Sequence, residues 1–140
     1  MKILEWTEAG IRLLDQARLP NESKFILCDT LDKICEAIRS LRIRGAPALG
    51  VAAAYAMLLG ARKIPYVNHD AFMTELVSVA DSVRATRPTA VNLFWAVDEM
   101  LHAARSVPEG ERNTVLAALH ERATMIERDN KERHISLSET

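Results

Sequence analysis

Two arginines stand immediately before predicted helices, where they could help to bind an anion. Arg44 precedes Gly45, Ala46 and Pro47, and Arg87 precedes a Pro-Thr-Ala segment that leads into another helical stretch. The first turn of a helix presents backbone N–H groups without intrahelical partners and the positive end of the helix dipole. A phosphate placed there is stabilised by both, and a guanidinium adds charged donors that suit a phosphate or a sugar hydroxyl.

The residues that follow Arg44 favour close approach of a ligand to the backbone. Gly45 has no Cβ that would block it, and Ala46 keeps the opening of the helix narrow. Pro47 fixes the helical direction and has no backbone N–H that needs a partner. The helix that follows is almost without charge, which predicts that this opening lies against the protein interior.

The segment after Arg87 adds polar groups at the second helix start. Thr89 places a hydroxyl near the entrance, and Asn92, three residues further along, lies on the same side one turn down. Trp95 is expected in the core, with the alternative that it lines the site beside Asn92. Residue types alone leave open that either arginine is solvated or paired with a carboxylate.

The composition indicates one globular domain and excludes several functions. The chain has 140 residues, of which 49% are hydrophobic, enough to bury a core. Its formal net charge of -1 provides no excess of positive charge for non-specific binding of nucleic acid. The N-terminus lacks the apolar segment of a signal peptide, and the longest apolar stretch is short for a membrane span. We therefore expect a cytoplasmic protein with no nucleic-acid or membrane partner.

The two cysteines do not form a metal-binding pattern. Cys28 and Cys35 are seven positions apart, no Cys-x-x-Cys motif is present, and no histidine lies at ligand spacing from either. We interpret them as reduced, partly buried thiols. No metal and no cofactor is expected.

The first 30 residues predict a small antiparallel sheet. Short apolar runs cover Lys2 to Trp6, Gly10 to Leu14 and Phe25 to Cys28, with turn residues between them. The pattern then becomes helical, with apolar residues at spacings of three and four from Leu31 to Leu41 and a cap at Asp29 or Thr30.

Four further helices are predicted from apolar spacing, caps and breaks. The second helix has Pro47 in its first turn and ends near Gly60. The others run from a cap at Asp70 through Val83, from about Ala90 to Ala104, and from about Arg112 through Arg128, the last with a continuation toward His134.

The fold class is therefore α+β and mainly α, with a sheet of about three strands followed by a bundle of about five helices. We expect residues 1–130 to form one N-terminal substrate-binding domain. Residues 131–140 are interpreted as the start of a connector to a further domain. The alternative is an ordinary frayed terminus.

Three segments resemble the methylthioribose-1-phosphate isomerase family. They are Leu13 to Pro20, the Arg-Gly-Ala-Pro-Ala-Leu-Gly segment from Arg44, and the Arg-Pro-Thr-Ala-Val-Asn-Leu segment from Arg87. Trp95 stands where that family usually has an aromatic residue. The first and last segments are the more specific to the isomerase, whereas the Arg-Gly-Ala-Pro element is shared with regulatory subunits of initiation factor 2B and with ribose-1,5-bisphosphate isomerase.

The resemblance implies an aldose–ketose isomerase that interconverts 5-methylthioribose 1-phosphate and 5-methylthioribulose 1-phosphate in methionine salvage. It implies that Arg44, Gly45, Ala46 and Arg87 bind this sugar phosphate, and we expect Thr89, Asn92 and Trp95 around them. The family's catalytic cysteine and aspartate lie in a second, Rossmann-like domain, so no catalytic residue is assigned to this chain, and the chain alone is expected to be inactive. The full-length enzyme is expected to be a homodimer, while the state of this piece stays open.

Two alternatives remain at this stage. One is a regulatory domain of the initiation factor 2B type, and the other is ribose-1,5-bisphosphate isomerase. No acid–base role is assigned to the four histidines. His102 and His120 are expected on helices, His69 in a loop and His134 near the end of the last helix.

Overall fold

The computed structural model describes residues 4–14, 25–40, 46–107 and 111–139, with side chains left out for residue 46 and residues 130–139. Within these ranges the chain forms a three-stranded sheet followed by five helices. The predicted α+β, mainly α, fold class is confirmed.

The sheet is antiparallel, with strands β1 (Leu4–Thr7), β2 (Gly10–Leu14) and β3 (Phe25–Cys28) in that order. Its inner face is apolar because Ile11 and Leu13 alternate with exposed Arg12. The β1–β2 turn ends at Gly10, whose φ of 142° suits glycine. A Cβ there would also lie 2.5 Å from the Cys28 carbonyl oxygen. The predicted strands are confirmed, apart from residues 2 and 3, which lie outside the described residues.

Helix α1 (Leu31–Arg39) begins at a side-chain cap. Of the two predicted candidates, Thr30 is the cap, because its hydroxyl accepts a 3.2 Å hydrogen bond from the Lys33 N–H. Asp29 pairs instead with the Lys33 ammonium at 2.8 Å.

Helix α2 (Ala46–Ala61) is the central element of the bundle, and every residue from Leu49 to Ala61 is buried. The prediction that it ends near Gly60 is confirmed, since the helix ends at Ala61 and Gly60 lies in its last turn. A Cβ at Gly60 would lie 2.6 Å from Val79 Cγ1. Glycine is therefore needed here for close packing of two helices and not to end one.

Helix α3 (His69–Thr86) differs from its prediction at both ends. Its cap is Asn68, whose side chain accepts a 2.8 Å hydrogen bond from the Ala71 N–H, and not Asp70. His69 is consequently the first helical residue and does not lie in a loop. The helix continues past Val83 to Thr86, whose side chain is buried and whose hydroxyl donates to the Val83 carbonyl at 2.6 Å.

Helices α4 (Val91–Arg105) and α5 (Arg112–Glu139) complete the bundle close to their predicted positions. The apolar face of α4 is buried against its neighbours. The backbone of α5 is helical through Glu139, so the helix does not break at the predicted boundary between residues 130 and 131. That boundary stays a prediction.

Aromatic and cationic side chains attach the sheet to the bundle. The Trp6 ring stacks on Tyr55 of α2 with centroids 5.5 Å apart. The Arg62 guanidinium lies 4.8 Å from the Trp6 ring centroid and donates a 3.1 Å hydrogen bond to the Glu8 carbonyl. Trp6 lies partly buried against the hydrophobic core.

Candidate functional site

The relative directions of α2 and α5 follow from two hydrogen bonds. The Arg112 guanidinium, at the start of α5, donates to the carbonyl oxygen of Arg62, which directly follows α2. The Tyr55 hydroxyl, in the middle of α2, donates to Glu127, far along α5, at 2.6 Å. As the chain advances along α5 it therefore moves back along α2, so the two helices are antiparallel.

Helices α4 and α5 are also antiparallel. A short connection joins the end of α4 at Arg105 to the start of α5, and halfway along the pair Arg122 of α5 forms an ion pair with Glu99 of α4. Because α2 and α4 both oppose α5, they run parallel to each other, and they pack in direct contact. Their N-terminal ends consequently lie at the same end of the bundle.

The two N-terminal ends are offset along the bundle axis. At a rise of about 1.5 Å per residue, Ala46 lies about 13.5 Å beyond Tyr55 along α2, and Val91 lies about 12 Å beyond Glu99 along α4. Because Glu127 lies about 7.5 Å further along α5 than Arg122, the start of α2 extends roughly 9 Å beyond the start of α4. Helix α3 finishes at this end too, because a short turn connects it to α4. In that turn the Arg87 carbonyl accepts a 3.0 Å hydrogen bond from the Ala90 N–H.

The structure describes only part of the predicted phosphate site. Arg44 and Gly45 lie outside the described residues, and Ala46 is described only as the first residue of α2. Arg87 is the half-buried residue that ends α3. The roles of all four residues in substrate binding stay predictions.

The opening of α4 carries no side-chain cap. Ala90 occupies the cap position and cannot accept a hydrogen bond through its side chain, unlike Thr30 at α1 and Asn68 at α3. The first-turn N–H groups of α4 thus donate no hydrogen bond to a capping side chain. An anionic group would be stabilised at this position. No acidic residue lies in this turn to compete with such an anion.

Three predicted residues surround this opening on the solvent side. Thr89 and Asn92 are exposed. Trp95 is 42% exposed, so the expectation that it is a core residue was wrong. The alternative, that it lines the substrate site beside Asn92, stays a prediction. Val91, which the residue pattern did not single out, is 78% exposed beside them. The signal that could have identified Val91 is its place in the first turn of α4, where a large apolar side chain has no capping role.

The cysteines are unsuited to nucleophilic chemistry. Cys28 and Cys35 are both buried and not joined in a disulfide, and burial raises the pKa of the Cys35 thiol to about 11. A thiol that holds its proton this firmly is a poor nucleophile near neutral pH.

Metal-binding and membrane-spanning features were also sought in the described ranges. There, no group of three or more His, Cys, Asp and Glu side chains could hold a metal ion. None of the helices in the described part of the chain has the length and apolar character needed to cross a membrane.

The histidines do not form a catalytic cluster with these groups. His102 and His120 are exposed on α4 and α5, as expected. The Nδ1 atom of His69 is buried without a hydrogen-bond partner among the described residues. His69 begins α3, whereas the candidate site lies where α3 ends, so it is remote from Arg87.

Comparison with known proteins identifies relatives of two kinds. Residues 42–139 match the initiation factor 2 subunit family. The chain is 39% identical over 131 residues to the methylthioribose-1-phosphate isomerase of Geotalea daltonii, covering 94% of this chain and 38% of that protein. It is 50% identical over 101 residues to the enzyme of the same name from Synechocystis sp., covering 72% and 29%.

The solved structures that resemble this chain are of the same two kinds of protein. The 5-methylthioribose 1-phosphate isomerase of Pyrococcus horikoshii superposes with a TM-score of 0.85 at 26% identity, covering 91% of this chain and 36% of that one. Subunit delta of translation initiation factor eIF-2B from A. fulgidus superposes with a TM-score of 0.84 at 32% identity, covering 92% and 37%. The chain thus spans less than two fifths of the length of these relatives. Its shared sequence and shared fold show that it belongs to the initiation factor 2 subunit family.

Proposed function

We propose that this chain is the N-terminal part of an aldose–ketose isomerase that interconverts 5-methylthioribose 1-phosphate and 5-methylthioribulose 1-phosphate. The chain supplies part of the grip on the sugar phosphate through Arg44, Gly45, Ala46 and Arg87. The catalytic cysteine and aspartate are contributed by another part of the longer polypeptide. That polypeptide acts as a cytoplasmic homodimer in methionine salvage.

The observation that carries this proposal is the parallel course of α2 and α4. It brings the helix start that follows Arg44 and the one that follows Arg87 to the same end of the bundle. Antiparallel helices would have placed the two helix starts at opposite ends of the bundle, and one small anion could not have contacted both starts. The relatives named methylthioribose-1-phosphate isomerase support the choice of substrate.

The assigned groups fit the needs of the reaction. An aldose–ketose isomerisation moves a proton between neighbouring carbons and requires an acid–base group and stabilisation of the shifted charge. It also requires that the phosphate, which does not react, be held so that the reacting carbons are correctly placed. Helix N–H groups and guanidinium donors can supply this grip without taking part in proton transfer.

The test is a titration of the purified chain with 5-methylthioribose 1-phosphate, followed by ¹⁵N NMR so that millimolar affinities are measurable. Arg44→Ala and Arg87→Ala should each weaken binding about 10-fold or more, the loss expected for a charge-assisted hydrogen bond of about 1.5–3 kcal/mol. Arg105→Ala is the matched control, because it removes an exposed arginine at the opposite end of α4. Equal effects of all three substitutions, or no binding at all, would refute the proposal.

A second candidate is a regulatory domain of the initiation factor 2B type. The specific observation in its favour is the 32% identity to the A. fulgidus delta subunit, which exceeds the 26% identity to the P. horikoshii isomerase. A ligand panel separates the candidates. The isomerase predicts preference for 5-methylthioribose 1-phosphate over ribose 1,5-bisphosphate, a ribose-1,5-bisphosphate isomerase predicts the reverse, and a purely regulatory domain predicts no preference.

A further inference from the structure

Three large apolar side chains are exposed at one place, where α4 and α5 lie side by side. Val91 is 78% exposed, Trp95 is 42% exposed and Met125 is 40% exposed. Val91 and Trp95 are four residues apart on the outward face of α4, opposite its buried residues. We call these three residues the α4–α5 apolar surface. Only two other large apolar side chains in the described ranges are comparably exposed, so this face stands out from the rest of the surface.

Contacts between the two helices hold this surface in place. The Arg122 guanidinium of α5 lies 6.0 Å from the Trp95 ring centroid and forms an ion pair with Glu99 of α4. Met125 is three residues beyond Arg122 and lies about level with Trp95, because α4 and α5 are antiparallel. Aromatic residues, methionine and arginine are the residues enriched where proteins or domains meet. The composition of this face is therefore that of an interface.

We infer that the α4–α5 apolar surface is the docking face for a further domain of the same polypeptide. This inference rests on the part of the proposed function that makes the chain a portion of a longer polypeptide. The chain spans less than two fifths of the length of its relatives, so most of such a polypeptide lies outside it. Contact with that domain removes the three apolar side chains from water, which stabilises the docked arrangement.

The course of α5 brings that domain to this surface. The helix begins at Arg112, passes the ion pair of Arg122 with Glu99 and continues to Glu139. At a rise of about 1.5 Å per residue, its backbone extends about 13 Å beyond the start of α4. Residues that follow α5 therefore leave the bundle next to α4, at the end where Val91 lies. A folded unit attached there reaches the α4–α5 apolar surface without a long connection.

The size of the surface favours an attached domain over a separate protein. A stable complex between separate proteins buries about 800 Å² on each partner and involves about 20–30 residues of each, whereas three side chains form this surface. Attachment through the chain gives the second domain an effective concentration in the millimolar range, so a smaller contact suffices. The same comparison argues against a second copy of this chain as the occupant.

Alkylation of an introduced cysteine measures whether the surface is covered. Met125→Cys places a thiol on it, and Val67→Cys is the matched control, because Val67 is exposed in the connection between α2 and α3 at the other end of the bundle. Cys28 and Cys35 are buried, and peptide mass spectrometry after reaction with iodoacetamide distinguishes their products from that of the new thiol. The rate is measured in the 140-residue chain and in the longer polypeptide.

The thiol of Met125→Cys should react about 10-fold or more slowly in the longer polypeptide than in the chain alone, because burial in an apolar contact shields a thiol and disfavours its thiolate. The thiol of Val67→Cys should react equally fast in both. Equal rates for Met125→Cys in the two proteins would overturn the inference. Protection that appears in the chain alone and disappears on dilution would overturn it as well, since the occupant would then be a second copy.

A second variant tests whether the surface acts as one docking face. Met125→Lys matches the helix propensity of methionine and introduces a charge that resists burial in an apolar contact. With Val91→Cys as the reporter in the longer polypeptide, Met125→Lys should raise the alkylation rate about 10-fold, whereas Val67→Lys should leave the rate unchanged. A rate that does not respond to Met125→Lys would contradict docking through this surface.

Isomerase activity is assayed separately, so that the two proposals can fail independently. If the longer polypeptide converts 5-methylthioribose 1-phosphate and Met125→Cys reacts as fast as in the chain alone, the docking face is wrong while the proposed function stands. If Met125→Cys is protected in a longer polypeptide that has no isomerase activity, the docking face stands and the proposed activity is wrong.

Discussion

The hydroxyl of Tyr55 donates a 2.6 Å hydrogen bond to Oε1 of Glu127 and so joins α2 to α5. Tyr55 is 2% exposed and stacks on Trp6, and burial raises the pKa of its hydroxyl, with the neighbouring Glu127 carboxylate adding to the shift. This bond is one of the two that define α2 and α5 as antiparallel. It therefore supports the parallel arrangement of α2 and α4 on which the candidate site depends.

Removing this hydroxyl should destabilise the fold. Tyr55→Phe is expected to lower the free energy of unfolding by about 1.5–3 kcal/mol, the usual contribution of a hydrogen bond to a charged group. Tyr66→Phe is the matched control, because the Tyr66 hydroxyl is buried without a hydrogen-bond partner among the described residues. Its removal should be neutral or stabilising. Urea denaturation of both variants checks this, and equal losses would contradict the assigned role.

Close packing at Gly60 gives a second prediction. Gly60→Ala should destabilise the protein by about 1–2 kcal/mol, because overpacking against the stiff Val79 side chain outweighs the gain of about 1 kcal/mol in helix propensity. The double variant Gly60→Ala, Val79→Ala should recover part of that loss. Thermal and urea unfolding of the single and double variants form a double-mutant cycle. Additive losses would show that the two residues do not pack as described.

Stability should fall at alkaline pH through Cys35. The folded chain holds the thiol proton more tightly than the unfolded chain, since burial raises the pKa from 9.0 to about 11. The resulting stabilisation is complete below pH 9 and is lost as the pH rises toward 11, a loss of about 2–3 kcal/mol. Urea denaturation from pH 8 to 11 should show a shallower decline for Cys35→Ala than for the parent chain. Identical slopes would contradict the prediction.

The purified chain by itself should show no isomerase activity toward 5-methylthioribose 1-phosphate. Cys28 and Cys35 are buried, and the raised pKa of Cys35 leaves it protonated near neutral pH. The assay is ketose formation monitored by NMR, with protein purified from a host that lacks its own isomerase. Measurable turnover that survives Cys28→Ala and Cys35→Ala would show that other groups of this chain can catalyse the reaction.

Most of the local structure could be predicted from the residue pattern. The alternation of Ile11, Arg12 and Leu13 predicted a strand with one buried face, and the residue pattern predicted the start of each helix to within a few positions. The end of α5 was predicted less well, since the helix runs to Glu139. The errors occurred where more than one residue could have formed the helix cap. Asn68 and Asp70 both suit a helix cap, and only the geometry of α3 shows which side chain reaches the Ala71 N–H.

Tertiary packing decided the rest. Glycine is common at helix ends, yet the glycine at position 60 is better explained by its close contact with Val79 of α3. Tryptophan is a common core residue, which is why Trp95 was expected there. The buried face of α4 is occupied by Leu93, Val97 and Met100, and the Trp95 indole lies at the surface. Neither result can be obtained from a segment considered alone.

The sequence by itself determined the types of element, the position of the two arginines before helices and the resemblance that indicates a sugar phosphate, because these depend on side-chain chemistry and on spacing along the chain. Only the tertiary structure decided that α2 and α4 run parallel. Helix direction in a bundle is established by contacts between residues distant in sequence, such as Tyr55 with Glu127 and Glu99 with Arg122.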